Sequence, residues 1–152
     1  MIKVDNIADV AGCDDALVDL LMTTWPAYYG AVGVGDAAQT IAQRRQHRSG
    51  GVALLNGQIV GTVALSETSF GAQSGDEGFW LIGLCVTPSA RQMGAGTALV
   101  RWAMAQADAP LFTTTQNAAG LLRRLGWTDL REVTDDSGRW SVLKAPPKMG
   151  EA

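Results

Sequence analysis

With one histidine and two cysteines in 152 residues, the chain has little with which to bind a soft metal or build a disulfide frame. Structural zinc sites draw four ligands chiefly from these residue types, so zinc is not expected, nor any other metal. Cys13 and Cys85 read instead as reduced thiols of a cytosolic protein. There is also no basic run. Twelve basic residues stand against 15 acidic ones, for a formal net charge of -3, which argues against a nucleic acid held through its phosphates. An anionic cofactor would then have to be held locally. No apolar run reaches the roughly 20 residues of a membrane span, and the N-terminus has no basic segment followed by an apolar core. The expected setting is the cytoplasm, away from membranes. Internal repeats and low-complexity tracts are missing too.

What is present is an ordinary globular composition, 47% hydrophobic and 18% charged. A chain of this length buries roughly 68 to 70% of its unfolded surface and needs no staple. Its organising stretch runs from Phe79 to Leu99. Phe79-Trp80-Leu81-Ile82-Gly83-Leu84-Cys85-Val86 is almost without polar residues and suits a strand covered on both faces. Pro88 stops it. Arg91-Gln92-Met93-Gly94-Ala95-Gly96 then opens a helix, and its two glycines let backbone amides approach a ligand closely. A helix start carries about half a positive charge and several unpaired donors, so a phosphate or pyrophosphate suits it. The same turn also serves to join strand to helix. A dinucleotide fingerprint fits less well, because it wants Gly or Ala where Leu99 stands and an acidic residue about 20 positions further on.

Taken in order, Met1 to Val4 predicts a short strand. Asp14 or Asp15 caps a helix with Leu17, Leu20, Leu21, Thr24 and Tyr28 on one face. Trp25 to Gly30 reads as irregular, and a second, polar helix runs from about Asp36 to Arg48 with a narrow stripe of Ala38, Ile41 and Ala42. Asn56-Gly57, between Gly51 to Leu55 and Gln58 to Ser66, marks a hairpin with a two-residue turn. A loop from Thr68 to Gly78 precedes the buried strand. After Gly96 the helix extends to about Asp108 with Leu99, Val100, Ala103 and Ala107 inward. Leu111 to Thr114 is the next strand, parallel to the buried one because a helix joins them. A short helix from Asn117 to Leu125 stops at Gly126, and Thr128 to Val133 with Arg139 to Lys144 closes the chain as a hairpin.

Arg91-x-x-Gly94-x-Gly96, after a strand ending at Val86 and before Leu99, resembles the acetyl-CoA signature of the GNAT N-acetyltransferases. The order of elements agrees along nearly the whole chain. The resemblance implies a single α/β (α+β) domain over 1–145 with a loose tail over 146–152. Its sheet would be mixed and mostly antiparallel, with six to seven strands, a central parallel pair and four helices. It further implies acetyl-CoA as co-substrate, with the pantetheine arm entering where the strands at Val86 and Leu111 splay. The backbone of Leu84, Cys85 and Val86 would meet the arm, and an amide near Val86 would polarise the thioester carbonyl. Arg91, Gln92, Met93, Gly94, Ala95, Gly96 and Thr97 would hold the pyrophosphate, with Asn117 reaching the arm from the next helix. The acceptor would be a primary amine of a small molecule or peptide, attacking directly in a ternary complex. A homodimer is among the assemblies it allows.

Two family residues are missing. The Tyr often found four residues before a Gly-aromatic pair, as acid for the departing thiolate, is Leu122 here. The Glu often found in mid-strand, as base through water, is Ile82. Substitutes are sought in Trp25, Tyr28, Tyr29 and Trp80, the tryptophans as acceptor wall and either phenol as proton relay, although aromatic residues mainly supply buried area. Glu67, Asp76 and Glu77 read as solvated loop carboxylates. His47 reads as a surface residue beside Arg44, Arg45 and Arg48, and Cys85 as a buried inert thiol. Three functions remain: an N-acetyltransferase, an acyl-CoA sensor of the same fold that does not turn over, and a nucleotide-binding domain resting on the glycines alone.

Overall fold

In a computed structural model, which describes residues 1–147, the chain divides into two compact units. The first comprises residues 1–64 and 83–102, and the second residues 65–82 and those from 103 onward. Most of the expected tail, from 148 to 152, lies outside the described residues.

In the first unit, β1 (Ile2–Asn6) runs antiparallel to β2 (Gly50–Leu55), with Val4 opposite Ala53. β2 turns back into β3 (Gln58–Ser66) through Asn56 and Gly57, whose φ angles of 53° and 80° are those of the tight turn expected from the sequence. The apolar faces of α1 (Asp14–Thr24) and α3 (Ala37–Gln46) supply Leu17, Leu20, Leu21 and Ile41 to a core shared with Ile7, Val52 and Cys85. Each such side chain contributes about 1.5 to 3 kcal/mol on leaving water. Asp36 caps α3 by accepting from the Gln39 amide at 3.0 Å.

Two local expectations are corrected here. Neither Asp14 nor Asp15 caps α1; Cys13 holds that position without a side-chain capping bond, and Asp14 sits inside the first turn. Its carboxylate is taken by Arg45 at 2.5 Å, and the same guanidinium donates to the carbonyls of Ile7 at 2.8 Å and Val10 at 2.9 Å. Arg45 thus ties α3 to the entry of α1. The stretch read as irregular contains α2 (Pro26–Tyr29), a fifth helix, because proline is well suited to a first helical position.

The second unit holds β5 (Leu111–Thr115), α5 (Ala119–Arg124), β6 (Thr128–Asp135) and β7 (Gly138–Lys144). Its core gathers Trp80, Phe112 and Val142, with the Trp80 and Phe112 rings stacked 5.3 Å apart. Gly126, at φ 92°, ends α5 as the left-handed residue foreseen.

Hydrogen bonding orders the seven strands β1-β2-β3-β4-β5-β7-β6, where β4 is Phe79–Val86. β4 and β5 pair in parallel, Phe79 with Leu111, Trp80 with Phe112 and Leu81 with Thr113, while β1–β2, β2–β3, β5–β7 and β6–β7 are antiparallel. The mixed, mostly antiparallel sheet with one parallel pair is the architecture the sequence led us to expect.

Candidate cofactor and acceptor site

The first unit contains the second half of β4 and the turn that follows it. The Thr87 amide donates to the Val60 carbonyl at 2.7 Å, fixing the end of the strand. A single 3-10 turn, Pro88–Ala90, leads out of it, and Arg91 Nε reaches back to the Val86 carbonyl at 3.3 Å. Gln92 and Gly94 then take left-handed conformations, at φ 70° and 87°. A Cβ on Gly94 would meet no atom within 4 Å, so this glycine is required by its backbone angle and leaves open space beside it. α4 (Ala95–Gln106) starts immediately afterwards, and the bond from the Ala98 amide to the Gly94 carbonyl, 3.0 Å, begins its ladder.

The amides of Ala95, Gly96 and Thr97 precede that bond and have no acceptor inside the helix. They lie at the positive end of the helix dipole. Arg91, Gln92, Met93 and Gly94 are exposed, whereas Leu99 and Val100 are buried and seat the helix. Three amides with no acceptor inside the helix, an exposed cation at Arg91 and no carboxylate in the turn are the chemistry that suits an anion. Leu84, Cys85, Val86 and the whole segment from Arg91 to Thr97 therefore form one continuous piece of this unit.

A second group of side chains bears on the same strand. Gly83 is left-handed within β4, at φ 61°, and a Cβ there would stand 2.8 Å from Nη2 of Arg44 and 3.3 Å from its Nη1. Arg44 is only 7% exposed, and its Nη1 is buried without a hydrogen-bond partner. Among the described residues no carboxylate lies within ion-pair distance of it. Burial lowers its pKa, opposed by the nearby Tyr29 and Cys85. Burial also pushes the Cys85 thiol up to about 11, despite the Thr24 hydroxyl and the Arg44 charge beside it. Cys85 is therefore a thiol, not a thiolate, at neutral pH.

Arg44 was not foreseen. It looked like one of three surface arginines around His47, yet Ala37, Ile41 and Arg44 are spaced by four and three residues and are the buried positions of α3. That spacing was the available signal.

The remaining candidates separate. Tyr29 and Trp25 are half-buried and pack on the core of the first unit, while Tyr28 is 53% exposed and touches Tyr29 edge-on at 4.8 Å. Trp80 belongs to the core of the second unit at 1% exposure, so it has no surface to offer an acceptor; its place in the wall is withdrawn. Ile82 packs against that same core, and Leu122 is buried in the second unit. Asn117 is exposed there, its backbone N–H donating to Thr115 Oγ1 at 3.3 Å. No cluster of three metal-ligating side chains occurs among the described residues, and no helix there is long and apolar enough to cross a membrane.

Comparison with known proteins bears on this geometry. No curated protein matches the sequence. Among solved structures, an aminoglycoside 6'-N-acetyltransferase complexed with coenzyme A is similar at a TM-score of 0.75 and 18% identity, over 97% of this chain and 98% of that one. An acetyltransferase from Corynebacterium glutamicum, described as histone acetyltransferase HPA2 and related, gives 0.74 and 18% over 99% of both chains. Naa50 from Arabidopsis thaliana, in complex with the bisubstrate analogue CoA-Ac-MVNAL, gives 0.66 and 15% over 96% and 99%. At these identities the likeness is one of fold. The family model of the GNAT acetyltransferases, however, matches residues 15–127, and with that match over most of its length the chain belongs to the GNAT acetyltransferase family.

Proposed function

We propose that the protein is an acetyl-CoA-dependent N-acetyltransferase that acetylates a primary amine of a small molecule or peptide by direct attack in a ternary complex. The observation that carries this reading is the start of α4, where the amides of Ala95, Gly96 and Thr97 follow the left-handed Gln92 and Gly94 directly after β4. That geometry suits the diphosphate of coenzyme A, with Arg91 adding a cation at the rim. The relatives solved with coenzyme A or a coenzyme A analogue support the same ligand. Their acceptors, an aminoglycoside in one name and a peptide in the other, support an amine nucleophile.

In the reaction the amine nitrogen bonds to the thioester carbonyl carbon, and the oxyanion is stabilised by a backbone amide near Val86. The C–S bond then breaks, the nitrogen loses its proton and the coenzyme A thiolate gains one. With Leu122 buried and Ile82 half-buried at the usual acid and base positions, the phenol of Tyr29, close enough to Arg44 to act on its charge, is the relay we assign in the first unit. A thiol of ordinary pKa, about 8.5, leaves tolerably well, and a positioned proton donor contributes typically 10² to 10⁴ in rate. Slow turnover is therefore compatible with the site. The missing acid and base favour, as a second reading, an acyl-CoA sensor that binds without turnover.

Coenzyme A and acetyl-CoA should raise the Tm, since a ligand held only by the folded state stabilises it. Gly96→Glu, which fills the diphosphate space and adds a like charge, should abolish the shift. A folded Gly96→Glu protein that keeps the shift would remove this turn from the cofactor site. Release of free coenzyme A thiol with a panel of amines separates enzyme from sensor.

A further inference from the structure

A buried arginine without an anion is costly, because a guanidinium removed from water needs either a carboxylate or a full set of acceptors. Arg44 has neither among the described residues, and its Nη1 is buried with no partner. The titratable groups facing it are the Tyr29 phenol and the Cys85 thiol, and no acidic side chain is among them. The strand opposite keeps room for the fork: Gly83 is left-handed, and even one methyl group there would come within 2.8 Å of Nη2. On its own side, the aliphatic stem of Arg44 packs over Gly50, where a Cβ would lie 3.4 Å from the Arg44 Cβ. Two glycines in two strands thus fit closely around one side chain, whose charge also feels Tyr29, the candidate proton relay.

We propose that Arg44 is the specificity residue of the acceptor site and binds a carboxylate carried by the acceptor itself, so that the substrate class is amines bearing a carboxylate, such as amino acids. The proposal rests on the reading of the protein as an N-acetyltransferase. The planar guanidinium presents two parallel N–H donors that match the two oxygens of a carboxylate, and one such anion neutralises the one buried charge. The anions of coenzyme A are accounted for by the start of α4. Arg44 lies against Gly83, which adjoins the Leu84 to Val86 end of β4 where the thioester is expected, so a carboxylate held there leaves the acceptor's amine within the same stretch of strand.

The test uses the full chain and matched acceptors: three L-amino acids with their primary amides, and 4-aminobutyrate with butylamine. Acetyl transfer is followed by release of coenzyme A thiol. Wild type should favour the carboxylate member of each pair by roughly ten-fold or more in kcat/KM, chiefly through KM, as expected for a lost charged hydrogen bond. Arg44→Met should bring each ratio near one, and Arg44→Lys should keep part of the preference. Both variants should retain the Tm shift with coenzyme A. Equal kcat/KM within the pairs in wild type, or an undiminished preference in Arg44→Met, overturns the proposal.

If no amine is acetylated, the enzymatic reading fails and binding decides the assignment of Arg44. With coenzyme A present, the carboxylate members should then raise the Tm of wild type and not of Arg44→Met, while acetate alone shows whether a free carboxylate suffices. No shift in wild type with any of them overturns it. Removing an unpaired buried charge in favour of an apolar chain of similar length should leave Arg44→Met at least as heat-stable as wild type.

Discussion

Arg131, in β6, closes on the carboxylate of Asp76, 55 residues earlier in the chain, and donates from the same Nη2 to the carbonyl of Gly71 at 2.7 Å. The long loop before β4 is thereby pinned inside the second unit. Asp76 also accepts from the Gln73 amide at 2.9 Å, and the ion pair is largely shielded from water.

The Arg131 bond lowers the Asp76 pKa below its ordinary value. A carboxylate depressed on folding stabilises the native state above its unfolded pKa, about 3.9, and loses that contribution as the pH falls through its folded value. Asp76→Asn should cost about 1 to 3 kcal/mol at neutral pH, in the range for leaving one charged partner unpaired. Urea midpoints of the two proteins should then draw together as the pH falls below about 4, first the unfolded and then, lower still, the folded wild type taking up the proton. A gap that stays constant down to about pH 2 would show that the carboxylate's charge is not what holds the loop.

Gly83→Ala adds a methyl group where Nη2 of Arg44 would be 2.8 Å away, on a backbone already at φ 61°. The backbone alone costs about 1 to 2 kcal/mol for a side-chain-bearing residue, and displacing the guanidinium adds to it. In an Arg44→Ala background the added cost should vanish. A double-mutant cycle reads the difference, and a coupling within about 0.3 kcal/mol of zero would mean that the two residues do not share the slot.

Tyr29→Phe should lower kcat by about 10² or more while leaving the coenzyme A Tm shift in place, the result expected of a hydroxyl that relays the proton. Tyr28→Phe should leave kcat unchanged, because more than half of Tyr28 faces water. Equal effects of the two would argue that neither hydroxyl transfers a proton.

Leu122→Tyr restores the residue common in the family at a position that is 1% exposed. A larger side chain in a filled core costs about 1 to 3 kcal/mol, so a lower Tm is expected. A faster single-turnover rate in the folded variant would show that thiolate departure limits the wild-type reaction; an unchanged rate would place the limit elsewhere.

The elements that were legible in the sequence are those whose signal is local. Asn56-Gly57 can adopt two successive positive φ angles, Gly126 can end a helix, and the apolar run Phe79 to Val86 forms a strand, although of its residues only Trp80, Leu81 and Cys85 are buried and the rest are partly exposed. The turn from Arg91 to Thr97 was legible for the same reason, since its amides follow from the helix start itself. Tertiary decisions were hidden. Arg44 looked like its neighbours Arg45 and Arg48 until the packing of α3 placed it inward, and Asp76 looked like Glu67 and Glu77 until β6 brought Arg131 to it. Trp80 had the composition of a pocket wall, but its stacking on Phe112 depends on a strand 32 residues away. Whether an apolar ring is core or wall is decided by what arrives opposite it.

Cys13 and Cys85 are both buried, and both fall within the first unit. Cys13 is enclosed by the Val10 carbonyl at 3.4 Å and Arg45 Nη2 at 3.3 Å, and Cys85 lies in β4 with its proton firmly held. A thiol reagent cannot reach either sulfur until that part of the chain opens, whereupon both are exposed and react. The protein thus carries a built-in stopwatch for one of its halves. Among the described residues the other half has no thiol at all, so labelling rates with and without coenzyme A would time the loosening of the first unit by itself, with no label or substitution introduced.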